Sequence, residues 1–180
     1  MSELVAGDKQ RDQPKAIVRV LLADDHPIVR DGIRNELARH FDIKVVGEAT
    51  NGDEALRLTE ELRPDVLLLD IAMPGLKVVE IMRQLQRLPS PPRILVLTAY
   101  GDEENVLGML QAGATGYLLK DEDPAAIVEG VRAVAQGRPW LSAAVVGKLA
   151  KHVAEEETRP TAPELSAREL EVLRQLARGL

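Results

Sequence analysis

From Ile17 onward, short aliphatic runs alternate with segments of helical period, about five times over, and no other feature limits the possible fold so strongly. The runs Val18–Ala23, Val66–Leu69 and Ile94–Leu97 are apolar at successive positions, as in strands buried on both faces. Such strands pair in parallel through crossover helices. The expected fold is therefore α/β, a flavodoxin-like, doubly wound, five-stranded parallel sheet. Strands are predicted at Val18–Ala23, Ile43–Ala49, Asp65–Asp70, Arg93–Thr98 and Gly116–Lys120. Helix starts are marked by Asn51 before Glu54–Leu62, Asp102 before Glu103–Gln111, and Asp123 with Pro124 at the first helical position. Ile33 and Leu37, Val106 and Leu110, and Ile127, Val131 and Val134 give each helix one face for the sheet.

Aromatic residues are 2% of the chain, so the core must be filled by Leu, Val, Ile and Ala. The absence of cysteine excludes disulfides, thiolate metal sites and thiol catalysis, and suits a reducing cytoplasm. A net charge of −6 gives no basic footprint for nucleic acid averaged over the chain. Met1–Lys15 is polar without an apolar centre, and no later apolar run is long enough to cross a bilayer. Neither signal peptide nor anchor is expected.

Residues 1–15 read as a flexible tail and 16–138 as the main domain. Arg138-Pro139-Trp140 closes the last helix, and Ser142 begins an outlying linker helix to about Val153. Ala154–Glu164 is acidic, proline-bearing and nearly free of apolar residues, so 139–164 is expected to be linker helix and hinge. In 165–180, Ser166 and Glu169 have capping-box spacing before an apolar face of Leu170, Leu173, Leu176 and Ala177. One such helix cannot bury its own stripe, so it either docks or opens a further domain.

Open parallel sheets gather reactive groups at the carboxyl ends of their strands. Asp24 and Asp25 end the first strand, Asp70 the third, Thr98 the fourth and Lys120 the fifth, bringing three carboxylates, a hydroxyl and an ammonium to one rim. Carboxylates so close require a cation, and an oxygen-only set favours Mg²⁺, with Mn²⁺ also able to serve. Asp70 can then attack phosphorus as a carboxylate nucleophile, Lys120 can offset charge on the phosphoryl oxygens, and Thr98 can bond the phosphoryl group. Blander roles compete: Asp24 as a helix cap, Thr98 as a buried threonine, Lys120 as a solvated lysine, His26 as a structural or exposed loop residue. Their joint placement carries the inference. Tyr117 is expected to be half core, with its hydroxyl toward a wet partner.

The segments VLLADDHPIVRDGI, VLLLDIAMPG, ILVLTAY and AGATGYLLKD, in that order, resemble two-component response-regulator receivers, especially those of the NarL/FixJ class. The resemblance spans about Val18 to Ala135. It implies that Asp25 with Asp24 holds Mg²⁺, that Asp70 is the phosphoacceptor, and that the Ala72 backbone carbonyl completes the metal site. It gives Thr98 and Lys120 the roles above, makes Tyr117 the switch aromatic, places Pro74 and Gly75 in the loop after the phosphoacceptor, and gives Ala72 and Tyr100 influence over phosphoryl hydrolysis. It further implies a sensor histidine kinase as donor, homodimerisation on phosphorylation, and control of a DNA-binding, transcription-regulating output domain. Leu165–Leu180 is similar to the first helix of a LuxR-type helix-turn-helix domain, so the chain is expected to be truncated and not itself a specific DNA binder. Lys77-Val78 stand where the family commonly has Asp-Gly, which predicts an altered start to the third helix, because valine is poor at positive φ.

Three other classes fit less well. Haloacid-dehalogenase-like phosphatases share the residue types but place the nucleophile first, in a D-x-D signature, and the acid pair last. A degenerate receiver acting as a phosphorylation-independent interaction module would not need Asp25, Asp70, Thr98 and Lys120 together. A flavin-binding flavodoxin would need a Ser/Thr/Gly-rich first loop. Catalysis is expected to extend only to the chain's own phosphorylation and dephosphorylation, not to enzymatic turnover.

Overall fold

The computed structural model describes residues 17–99, 103–143, 145–147 and 150. The expectations for the tail 1–15, Tyr100, the Asp102 cap, the hinge 154–164 and the helix of 165–180 fall outside these residues. The elements are β1 (Val18–Ala23), α1 (Pro27–Ala38), β2 (Ile43–Ala49), α2 (Gly52–Leu62), β3 (Val66–Asp70), α3 (Val78–Leu85), β4 (Arg93–Thr98), α4 (Glu103–Gln111), β5 (Gly116–Leu119), α5 (Pro124–Ala135) and β6 (Trp140–Leu141). They form one parallel sheet in the order β2-β1-β3-β4-β5-β6. The chain order reverses between β1 and β3, which opens a crevice at the carboxyl ends of those strands.

The sheet has six strands rather than the five expected. Trp140 and Leu141 add to the outer edge of β5, with Trp140 N–H donating to Thr115 O at 3.2 Å and Ser142 N–H to Tyr117 O at 3.4 Å. Two residues are too few to display a strand period, and Pro139 hides the return to extended backbone. The helical stretch then opens at Ser142, whose hydroxyl accepts from Val145 N–H at 3.3 Å. It is less outlying than expected, because Val145 is fully buried in the main core.

The alternation of side chains along the strands divides the core into two layers. Leu21, Leu67, Leu69, Val96 and Tyr117 face α3 and α4 through Ile81, Met82, Leu85, Val106 and Leu110. Val20, Leu22, Leu68 and Leu97 face α1 and α5 through Ile33, Leu37, Ile127, Val131 and Val134. Each fully buried aliphatic side chain contributes about 1.5–3 kcal/mol relative to exposure. The central strands are therefore rigid supports for whatever their ends carry.

Local signals explain most boundaries. Asn51 accepts from Glu54 N–H at 2.9 Å while Glu54 accepts from Thr50 N–H at 2.8 Å, a reciprocal cap that starts α2 at Gly52. Asp123 caps α5 by accepting from Ala125 N–H at 2.8 Å. The third helix begins at Val78 after an extended Lys77 with no side-chain cap, and the positive φ of the preceding loop falls on Gly75, at +87°. Val78 therefore does not occupy the conformation that disfavours it; it is the buried first residue of α3.

Candidate functional site: an acidic crevice with one lysine

Four strands deliver the predicted residues to one rim. Asp24 and Asp25 leave the end of β1, Asp70 is the last residue of β3, Thr98 the last of β4, and Lys120 follows β5. Lys120 N–H donates to Thr98 O at 2.7 Å and Ile71 N–H to Leu97 O at 3.2 Å, so the strand ends are tied just where the side chains diverge. Asp24 and Asp70 are fully buried. Lys120 Nζ lies 2.7 Å from Asp70 Oδ2 and 2.7 Å from Asp24 Oδ2.

The remaining carboxylate contacts are local. Asp24 Oδ1 accepts from His26 N–H at 2.8 Å, and Asp70 Oδ1 accepts from Ala72 N–H at 3.1 Å. Both are short side-chain turns rather than helix caps; α1 has His26 at its cap position and no side-chain cap. Asp25 is partly exposed, and the ring of the exposed His26 approaches its Oδ1 to 2.8 Å. Thr98 is buried at the end of β4.

Tyr117 departs from expectation. Its ring is fully buried, not half core, because β5 sets it beside Val96 of β4 in the layer closed by α3 and α4.

Asp24, Asp25, His26 and Asp70 each offer a ligand atom, all within 4.8 Å of one another. Three of these are carboxylates, two of them fully buried, and one ammonium faces them. That excess of negative charge, presented by oxygen donors, fits a hard divalent cation. Burial, the largest influence on Lys120, lowers its pKa, but hydrogen bonds to Asp24 and Asp70 and their charges outweigh it, and the net shift is upward from 10.5. The lysine is thus held charged among the acids.

The loop after Asp70 is pinned from the side. Pro74 O accepts from Gly52 N–H at 2.9 Å, and Asp53 Oδ2 accepts from Leu76 N–H at 3.2 Å. A Cβ at position 52 would overlap the Leu76 backbone oxygen, so glycine permits the close approach of α2 to this loop. Sequence patterns did not reveal that contact, nor the Arg30 and Glu48 pair behind Asp24. No local spacing links residues on separate strands and helices.

Comparison with known proteins agrees with this geometry. The family model for the response regulator receiver domain matches residues 20–132. The chain is 41% identical over 164 residues to the transcriptional regulatory protein LiaR of Bacillus subtilis, covering 91% of this chain and 78% of that protein. It is 37% identical over 163 residues to the nitrate/nitrite response regulator protein NarL of Escherichia coli, covering 89% and 76%. Among solved structures, a LuxR-family two-component response regulator from Aurantimonas superimposes with TM-score 0.73 at 34% identity, covering 77% of this chain and 99% of that one. RcsB, solved as two dimers bound to two parallel DNAs, gives TM-score 0.70 at 28% identity over 91% of this chain and 78% of that one. The receiver fold, the order of the acidic strand ends and these relatives agree, and the chain belongs to the response-regulator receiver family, among the NarL/LiaR-type two-component regulators that control a DNA-binding output.

Proposed function

We propose that Asp70 is the phosphoacceptor of this receiver. The observation that carries the assignment is the burial of Asp70 and Asp24 on either side of the Lys120 ammonium, with Asp25 alongside. The residues that would hold Mg²⁺, or Mn²⁺ in its place, are Asp24, Asp25 and Asp70 with the Ala72 backbone carbonyl. The ion supplies neutralisation of the carboxylates and of the phosphoryl oxygens. An Asp70 oxygen attacks the phosphorus of a sensor kinase's phosphohistidine; the new O–P bond forms as the P–N bond breaks, and the imidazole nitrogen keeps the electron pair. Lys120 follows the transferred charge.

Thr98, one strand away, bonds the phosphoryl group, and phosphorylation thereby repositions Thr98 and Tyr117 beside α4. The changed surface favours homodimerisation or frees a carboxyl-terminal output domain, the kind of part through which the RcsB dimers engage DNA. The domain plan in this reading is a flexible tail over 1–15, a receiver over 16–138, linker helix and hinge over 139–164, and the opening helix of a LuxR-type domain over 165–180, a division that rests on the sequence pattern. No helix among the described residues is long and apolar enough to cross a membrane. A receiver of this family, served by a sensor kinase and controlling a DNA-binding output, is placed in the cytoplasm on that ground.

The test is titration of the purified chain with Mg²⁺ and beryllofluoride while amide shifts of Thr98, Tyr117 and Lys120 are followed by NMR. Saturable, Mg²⁺-dependent shifts at all three are expected. Absence of any response would instead favour an interaction module that needs no phosphorylation.

A further inference from the structure

Arg30 lies one turn into α1, and its guanidinium is turned inward rather than toward solvent, with a side chain only 16% exposed. Nη1 donates to the Asp24 backbone carbonyl at 2.8 Å, and Nε donates to Glu48 Oε2 at 2.9 Å. Glu48 sits on β2, beside the residue whose carbonyl receives Asp24 N–H at 3.0 Å. Arg34 Nη1 holds the other Glu48 oxygen at 3.1 Å. Asp24 is thereby fixed at its amide by β2, at its carbonyl by Arg30, and at Oδ1 by the His26 amide.

We infer that Arg30, braced by Glu48, is a positioning residue for the cation site: it sets the turn that aims Asp24 and Asp25, without touching ion or phosphoryl group. The inference rests on the assignment of these acids to a divalent cation. A carboxylate pair serves a metal only when its backbone is held still, and groups behind the ligands commonly govern affinity as strongly as geometry does. Arg30 suits the task because a planar fork with several donors can satisfy a carbonyl and a carboxylate at once. Lysine, with a single nitrogen, reaches one of them well.

The experiment is calorimetric titration of the full chain with Mg²⁺ and separately with Mn²⁺, for wild type, Asp25→Asn, Arg30→Ala, Arg30→Lys and Glu48→Gln. Urea unfolding in metal-free buffer accompanies each titration. Arg30→Ala is expected to weaken both ions by about tenfold or more. Arg30→Lys recovers part of that loss, and Glu48→Gln, which keeps the acceptor but not the charge, loses less than Arg30→Ala. A merely structural role would shift the metal-free unfolding midpoint and leave both affinities at the wild-type value, which overturns the inference. If Arg30→Ala does not fold, unchanged affinity in both Glu48→Gln and Arg30→Lys overturns it equally. Should wild type and Asp25→Asn bind the ions alike, the cation site itself is misassigned and the inference falls with it; normal loss in Asp25→Asn with none in the Arg30 variants removes the inference alone.

Discussion

Lys120 Nζ donates to Asp70 Oδ2 at 2.7 Å, reaching over the end of β4 to join the ends of β5 and β3. The lysine side chain is 10% exposed and the aspartate is fully buried, so this contact is part of the interior rather than of the surface. It makes Lys120 a structural counter-ion before any phosphoryl group arrives.

Replacing Lys120 with methionine keeps the aliphatic stem and removes the charge. Two fully buried carboxylates then face each other with no ammonium between them. Losing one partner of a buried ion pair costs about 3–5 kcal/mol, and urea unfolding in metal-free buffer should show a loss of that order. Mg²⁺ should return more stability to Lys120→Met than to wild type. An unchanged metal-free midpoint would show that the pair contributes nothing.

The same pair predicts a pH dependence. The folded-state pKa of Lys120 is raised above its ordinary 10.5: burial, the largest influence, lowers it, but Asp24 and Asp70 more than offset this. A cation so shifted stabilises the fold fully below its unfolded pKa and loses that contribution as pH rises through the folded value. The stability difference between wild type and Lys120→Met should therefore stay level from neutral pH to about pH 10 and shrink only above it. A difference that faded between pH 7 and 9 would contradict a lysine held charged by its partners.

Asp70→Asn is nearly isosteric and retains an oxygen for the Ala72 amide, which in the native protein donates to Asp70 Oδ1 at 3.1 Å. The variant should fold and yet acquire no hydroxylamine-labile acyl phosphate from a labelled phosphoryl donor. Label that still accumulated at wild-type yield would place the acceptor elsewhere.

Much of this was legible in the sequence because the chemistry sits at strand ends, and strands buried on both faces announce themselves. β1, β3 and β4 contain the apolar runs Val18–Ala23, Val66–Leu69 and Ile94–Leu97, and Asp24, Asp25, Asp70, Thr98 and Lys120 therefore fall on one rim. What escaped depends on tertiary approach. β6 is too short to have a period. Tyr117 is fully inside, because its neighbours across β4 and under α4 decide its burial, not its own hydroxyl. Lys77-Val78 raised a concern about positive φ that the backbone resolves by placing that conformation at Gly75. Arg30 and Glu48 are ordinary charges on a helix and a strand until folding sets them 2.9 Å apart.

Two glycine-to-alanine changes separate propensity from packing. Gly32 lies exposed in the middle of α1, and a Cβ there meets nothing within 4 Å. Alanine should stabilise the protein by up to about 1 kcal/mol, since glycine is the poorer helix former. Gly52 is the first residue of α2, and its Cβ would collide with the Leu76 carbonyl oxygen, a backbone atom that cannot swing aside. Forcing that contact costs about 1–3 kcal/mol, and the strain falls on the loop from Ile71 to Lys77 that leads away from Asp70. Gly52→Ala should therefore both lower the urea midpoint and slow acyl-phosphate formation, whereas Gly32→Ala should raise the midpoint and leave the rate alone. If Gly52→Ala lost stability but phosphorylated at the wild-type rate, the contact of α2 with the loop would be a matter of packing only, with no hold on the geometry around Asp70.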